Sequence, residues 1–372
     1  MHSEYTIKDP SRIFSPGLLF FKTLIARNIQ SMVKRVGSPA RLRPHVKTHK
    51  TREIVRMERE AGITKQKCAT IAEAEMLAQC EVPDIMLSYP MVGPNCDRFA
   101  ELIKKYPGSA FSTIADHAVG IKQLSDALAK ANVRAEVLLD IDVGQHRTGI
   151  AAGSAARQLY ESLARLPGIV PGGLHVYDGH NHQHPLEERQ AAVKQMLEPV
   201  MQMRDDLTKA GVPVPRMVFG GTPTFPVFAT MDIAGAECSP GTCVLNDFNY
   251  GSWFQDLSEF TPAALLLTRV ISRPTPNRVT FDLGYKAVAS DPPAGKRCTF
   301  LNVRDAVAVL HNEEHLVIET PDAERYQPGD VAYAMPSHVC PTSALHKFAY
   351  VIENGEVVDQ WQIASRDRVL TI

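Results

Sequence analysis

The sequence has almost no net charge, with forty lysines and arginines set against forty-one acidic residues over 372 positions. That balance leaves no electrostatic footprint for nucleic acid or for an anionic membrane, so the expected partner is a small molecule. The chain lacks any C-x-x-C pair, and its seven cysteines (Cys68, Cys80, Cys96, Cys238, Cys243, Cys298 and Cys340) form an odd set. This argues against a disulfide framework and for reduced thiols in a cytoplasmic protein. Long apolar runs are missing as well. The most apolar early stretch, "GLLFFKTLIA" from Gly17, holds Lys22 and spans only ten residues. It is too short for a membrane span, no small-residue cleavage site follows it, and it reads as a strand running into a helix. No internal repeat or low-complexity tract appears.

The alternation of elements is what the chain does have. From about residue 20 to residue 247, short apolar runs alternate with amphipathic stretches such as "REIVRMEREAG" and "IAEAEMLAQC", the pattern of an α/β unit with a parallel sheet. Strands are expected at "RPHVKT", "QKCAT", "DIMLSY", "SAFSTI", "EVLLDIDV", "GGLHVYDG" and "RMVFGG", with an eighth near "AECSP". Eight such units fit a (β/α)8 TIM barrel, although a doubly wound sheet has the same periodicity. From residue 248 to 372 the texture changes to short strands broken by Pro, Gly and Asn, and "ENGEVV" carries an Asn-Gly hairpin signal. A second, mainly antiparallel β domain is expected there, joined by residues 1–19.

Barrel chemistry sits where strands end, so polar residues just after strand-like runs are the candidates. Lys47, after "RPHV", stands where a lysine near other cations can become a nucleophile toward an aldehyde; a solvated surface charge is the plainer alternative. "GLHVYDGHNHQH" ends a strand in Tyr177, Asp178, His180, His182 and His184, groups suited to general base work or metal binding, or to a polar surface loop. "FGGTPTF" and "CSPGTC" are glycine turns with threonines beside them, and such turns late in a barrel suit a phosphate. In "PSHVCPT" an extended segment would put His338 and Cys340 on one face. Imidazole and thiolate are ligands Zn²⁺ prefers, so the pair is either an open metal site or a buried core pair.

Taken in order, "RPHVKTHK", "KCATIAEAEML", "LLDIDVGQHRTGI", "GLHVYDGHNH", "GGTPTF", "ECSPGTCVL", "DLGYKAVASD", "EEHLVIET" and "PSHVCPT" resemble the D-threonine aldolase and D-serine dehydratase family. Its members carry pyridoxal phosphate (PLP) on an alanine-racemase-like barrel. The resemblance runs from about residue 15 to the C-terminus and implies that Lys47 holds the cofactor as a Schiff base. It further implies that Arg147 lies near the cofactor's phenolic oxygen, that Tyr177 is in the active site, and that Gly221, Thr222, Gly241 and Thr242 hold the phosphate. His338 and Cys340 match the family's ligands for a divalent metal (Zn, Mn or Mg). Two positions depart from the pattern. Ser239 stands where alanine racemases place an arginine on the ring nitrogen, and Gln183 stands where the family places a histidine six residues after the tyrosine. The first departure counts against racemisation, and the second leaves His180 and His182 as the candidate bases.

PLP is an electron sink, and the protein selects the bond that breaks. The resemblance implies retro-aldol cleavage of a D-3-hydroxy amino acid to glycine and an aldehyde. The alternative is dehydration of D-serine or D-3-hydroxyaspartate to a 2-keto acid and ammonia. A PLP-binding homeostasis protein is a weaker reading, because such barrels lack the second domain. A homodimer is expected.

Overall fold

The computed structural model describes residues 3–372, and the chain divides into two compact units. One comprises Met32–Lys47, Val55–Gly241 and Asp367–Ile372; the other comprises the chain up to Ser31, Thr48–Ile54 and Thr242–Arg366. Because the units interleave, the change of composition near residue 248 marks only one of the crossings.

In the first unit the apolar runs become strands Lys65–Cys68, Asp84–Leu87, Ala110–Ala115, Ala135–Asp142, Ile169–Val176, Met217–Phe219 and Ala236–Cys238, paired in that order and all parallel. Parallel neighbours need a crossover, and helices such as Ile71–Gln79, Pro94–Lys105 and Ala118–Ala131 supply it. Thr70 illustrates a local start signal: its hydroxyl accepts from Glu73 N, and the Glu73 carboxylate accepts from Ala69 N at 2.7 Å, which stops the first turn from fraying.

"RPHVKT" departs from the expected strand. It makes only two isolated bridges, Leu42 to Cys238 and His45 to Lys67. Pro44 has no N–H for a ladder, and its carbonyl accepts from Lys67 N at 2.9 Å. Val46–Thr48 then tightens into a 3₁₀ turn, so Lys47 sits just past the bridged segment. The bridges still join the last strand to the first, with Arg43 N donating to Cys238 O at 2.9 Å, and the sheet closes as a (β/α)8 barrel.

Residues two apart on a strand share a face, so the barrel interior is layered. At the N-terminal ends the layer is ionic. Arg43, fully buried, donates through its terminal nitrogens to both Asp84 oxygens at 2.8 and 2.7 Å and through Nε to Glu237 at 2.5 Å. Lys65 reaches the other Glu237 oxygen at 2.7 Å. Two residues further along, Met86, Ile114, Leu138 and Val218 form an apolar layer. Beyond it the interior turns polar again, at the mouth.

The second unit contains a nine-stranded sheet. Gly17–Phe21 pairs antiparallel with Ala264–Thr275 and parallel with Phe348–Glu353, and the other pairings are antiparallel. "GLLFFKTLIA" is indeed a strand followed by helix Lys22–Val36. The expected hairpin joins Phe348–Glu353 to Glu356–Gln362 through Asn354 and Gly355, both at positive φ (52° and 79°), as a two-residue primed turn requires. Sequence reading misses Cys298–Phe300 and Val307–His311, whose half-exposed residues give little alternation. Among the described residues no helix is long and apolar enough to cross a membrane.

Arg43→Ala would leave the Asp84 and Glu237 carboxylates without their buried partner. The expected loss is about 3–5 kcal/mol in urea unfolding monitored by circular dichroism; a loss under about 1 kcal/mol would show that the ion cluster does not hold the barrel seam.

Candidate functional site

A cavity of about 550 Å³ opens at the C-terminal ends of the barrel strands, and Lys47, Lys67, Asp140, Arg147, His175 and Tyr177 are among its walls. Each arrives there by strand parity or by the turn that follows a strand. Lys47 is presented by the 3₁₀ turn, whose entry is held by His45: its Nδ1 accepts from Lys47 N at 3.3 Å. His49 repeats the device in the other unit, accepting from Thr51 N at 3.1 Å. Burial, helped by the charge of Lys50, pulls His49 down to about 3, so it stays neutral. Both histidines therefore shape the backbone around the "HVKTHK" turn.

Tyr177 is another part of the cavity wall. Arg147 lies over its ring at 4.9 Å from the centroid, and Lys67 stands 5.9 Å from the same centroid. Two glycines make room for the ring: a Cβ on Gly179 would sit 2.5 Å from it, and one on Gly221 3.2 Å. The two glycine turns meet within the barrel, where Gly241 N donates to Thr222 Oγ1 at 3.2 Å. The "YDGHNH" loop is tied to the first of them, because Asp178 accepts from Thr224 Oγ1 at 2.8 Å. Burial pushes the Asp178 carboxyl up to about 6, against the hydrogen bonds from Thr224 and Asn181.

Sequence reading gave no role to two further groups in the cavity wall. Asp140 accepts from His175 Nδ1 at 2.6 Å and from Thr148 Oγ1 at 2.8 Å. Burial alone would raise this carboxyl, but His175, Thr148 and Lys67 hold it below its ordinary value. Burial, with Lys67 nearby, lowers His175 in turn. The pair is thus a carboxylate and a neutral imidazole, with the proton on Nδ1 and a bare, buried Nε2 that has no partner. The second group is Lys67, only 3 % exposed. Its signal was available: Lys65 and Lys67 share a face of one short strand, and a barrel strand has no solvent on either face.

The remaining candidates lie elsewhere. His180 and His182 do not line the cavity. His180 packs over the "DVGQHRTG" loop, where a Cβ on Gly144 would come within 3.0 Å of its Nε2. Burial lowers both imidazoles. Thr242 belongs to the second unit and opens the 3₁₀ helix Thr242–Val244.

His338 and Cys340 also belong to the second unit, and their local structure corrects the sequence reading. The segment is not extended. The strand ends at Pro336, His338 (φ −136°, ψ 104°) precedes helix Val339–Leu345, and Cys340 lies in its first turn. Asp247 Oδ2 accepts from Val339 N at 3.1 Å and so satisfies a free donor at the helix start. The extended backbone of His338 still lets its side chain reach Cys340. Burial would lower the imidazole, but Cys340 and Asp291 push it up to about 9. His338 Nδ1 lies 2.5 Å from Asp291 Oδ2, and Cys340 Sγ lies 3.2 Å from Thr48 Oγ1. Among the described residues no group of three His, Cys, Asp or Glu side chains converges as a metal cage.

The donor set fits pyridoxal phosphate. The half-buried Lys47 shares its pocket with an aromatic ring and an arginine, Gly221 lies close behind that ring, and the hydroxyl of Ser239 is buried with no partner, at the position where the resemblance expects a ring-nitrogen contact. A closed barrel with a lysine after its first segment in such a pocket defines the racemase-type class of barrels. Residues 23–245 match the model of the alanine racemase N-terminal domain, and residues 263–352 that of a putative serine dehydratase domain. The chain belongs to the alanine racemase N-terminal-domain family, whose members carry pyridoxal phosphate. It is 29 % identical to the D-threonine aldolase of Arthrobacter sp, over 96 % of this chain and 94 % of that protein. It is 24 % identical to the D-threo-3-hydroxyaspartate dehydratase of Delftia sp. (strain HT23), over 90 % of this chain and 93 % of that one. The crystal structure of D-threonine aldolase from Filomicrobium marinum superposes with a TM-score of 0.87 at 25 % identity, covering 97 % of this chain and all of the other.

Gly179→Ala tests whether the Tyr177 ring is the wall for the cofactor. The methyl group must displace the ring, and the cofactor's Kd in an absorbance titration is expected to rise roughly tenfold or more. An unchanged Kd would detach Tyr177 from the cofactor site.

Proposed function

We propose that the protein is a PLP-dependent lyase that cleaves D-3-hydroxy amino acids by retro-aldol reaction into glycine and an aldehyde. The observation that carries the cofactor reading is that Lys47 lines one pocket at the barrel mouth with Arg147 and Tyr177, the guanidinium over the ring. The 29 % identity to a D-threonine aldolase over nearly the whole chain supports the reaction.

Lys47 would anchor the cofactor, which when bound supplies an electron sink for the carbanion left at Cα. Arg147 would hold the cofactor's phenolic oxygen and Tyr177 would help to bind the cofactor in the pocket. Gly221, Thr222, Gly241 and Thr242 offer backbone N–H groups and hydroxyls for the phosphate, and Ser239 offers a hydroxyl to the ring nitrogen. His180 and His182 stay the candidates for taking the 3-hydroxyl proton although neither lines the cavity; burial lowers both imidazoles, so they are neutral and able to accept at neutral pH. His338 and Cys340 would hold a divalent cation, which would supply Lewis acidity at the substrate's 3-hydroxyl. An imidazole with a thiolate favours Zn²⁺ over Mn²⁺ or Mg²⁺. We further infer a cytoplasmic homodimer. None of the seven cysteines is in a disulfide, in keeping with a reducing compartment, and sedimentation velocity tests the dimer.

A second reading follows from Cys340 itself. A Zn²⁺ site suits departure of hydroxide, so dehydration of D-serine or D-3-hydroxyaspartate to a 2-keto acid and ammonia uses nearly the same groups. Incubation with D-threonine and D-serine, with separate assays for acetaldehyde plus glycine and for keto acid plus ammonia, decides between them. Acetaldehyde and glycine are expected to dominate, and dominant keto acid would replace the first reading with the second. The same assay on His180→Ala and His182→Ala identifies the base as the variant that loses roughly 10²-fold or more in rate.

The metal reading has a test independent of turnover. Asp291 accepts from His338 Nδ1 and thereby leaves Nε2 as the ligating nitrogen. Asp291→Ala is expected to weaken Zn²⁺ binding by roughly 10–100-fold in a chelator competition, and Cys340→Ala to abolish it while the cofactor stays bound. Zn²⁺ affinity unchanged in Cys340→Ala would refute the site.

A further inference from the structure

We propose that Lys67 is a second cationic partner of the cofactor's phenolic oxygen, beside Arg147, and so a positioning residue for the Lys47 anchor. This rests on the cofactor reading above. Lys67 is buried in the cavity wall yet forms no ion pair with any described carboxylate. A buried ammonium without an anion is costly, so something anionic belongs beside it. The carboxylate in its neighbourhood, Asp140, is already bonded to His175 and Thr148.

The location follows from the barrel seam. Lys67 bridges His45, two residues before Lys47, and its ammonium and the Arg147 guanidinium both stand over the Tyr177 ring. In pyridoxal phosphate the phenolic oxygen is on the ring carbon next to the one bearing the formyl group. A nitrogen that bonds the formyl carbon therefore has that oxygen within hydrogen-bond reach. A cation sharing the surroundings of both Lys47 and Arg147 is placed to meet it. The charges acting on Lys67 are those of Lys47, Asp140, Arg43 and Arg147, and the titratable groups His175 and Asp178 also feel it. Burial, with the charge of Lys47, pulls the amine down to about 7; a phenolate bound beside it would restore the charged form.

The test is a pH titration of the long-wavelength absorbance of the cofactor bound to wild type, Lys67→Met, Lys67→Gln and Lys67→Arg. The midpoint reports the nitrogen of Lys47 joined to the cofactor. A nearby cation opposes its protonation, so removing that cation raises the midpoint. A rise of about one pH unit or more is expected in Lys67→Met and Lys67→Gln, with less than half that change in Lys67→Arg. An unchanged midpoint in either neutral variant overturns the role of Lys67. So does borohydride reduction that fixes the cofactor on Lys67 instead of Lys47. A wild-type protein that takes up no cofactor overturns both this inference and the reading beneath it.

Discussion

The buried guanidinium of Arg43 is the interaction on which the barrel depends. The segment that carries it is the poorest strand in the sheet, since Pro44 removes a ladder donor and only two bridges remain. What the backbone cannot supply, the side chain does. Arg43 binds Asp84 on one strand and Glu237 on the strand beside the seam, both through charge-assisted hydrogen bonds. A planar fork with five donors can span two carboxylates in this way, whereas a lysine ammonium would serve as a single point charge. Because Lys47 lies four residues downstream, the same contact sets the height at which the lysine enters the mouth.

The interior layering carries function for a similar reason. Strand parity places charge at the floor, apolar side chains in the middle and charge again at the mouth. The apolar layer of Met86, Ile114, Leu138 and Val218 separates two ionic environments that would otherwise share water. Above that layer, Asp140, His175 and Lys67 lie in a low dielectric, where each one's protonation depends on its neighbours. The site therefore combines groups with shifted protonation in one pocket, a common property of places where proton transfer is done.

Much of this was legible from residue order. Most strands of both units, the hairpin at Asn354–Gly355 and the positions of Lys47, Arg147 and Tyr177 around one mouth follow from periodicity, turn chemistry and a resemblance carried by ordered motifs. The misses have local causes. "RPHVKT" looked like a strand because it lies between two helical stretches, but a proline inside it limits the ladder to bridges. "PSHVCPT" looked extended, yet Asp247, far away in sequence, supplies the acceptor that lets a helix begin at Val339. Lys67 was overlooked because lysines in so short a strand are usually solvated, and only closure of the barrel buries it.

By itself the sequence determined which residues could do chemistry and the order in which strands and helices follow one another, because periodicity, prolines and glycines act over a few residues. Tertiary structure decided which of those residues meet. Closure of the sheet turned Lys67 and His175 inward and left His180 and His182 outside the cavity wall. It also set the protonation of Asp140, Asp178 and His175, since burial and neighbouring charge depend on residues brought together from distant parts of the chain.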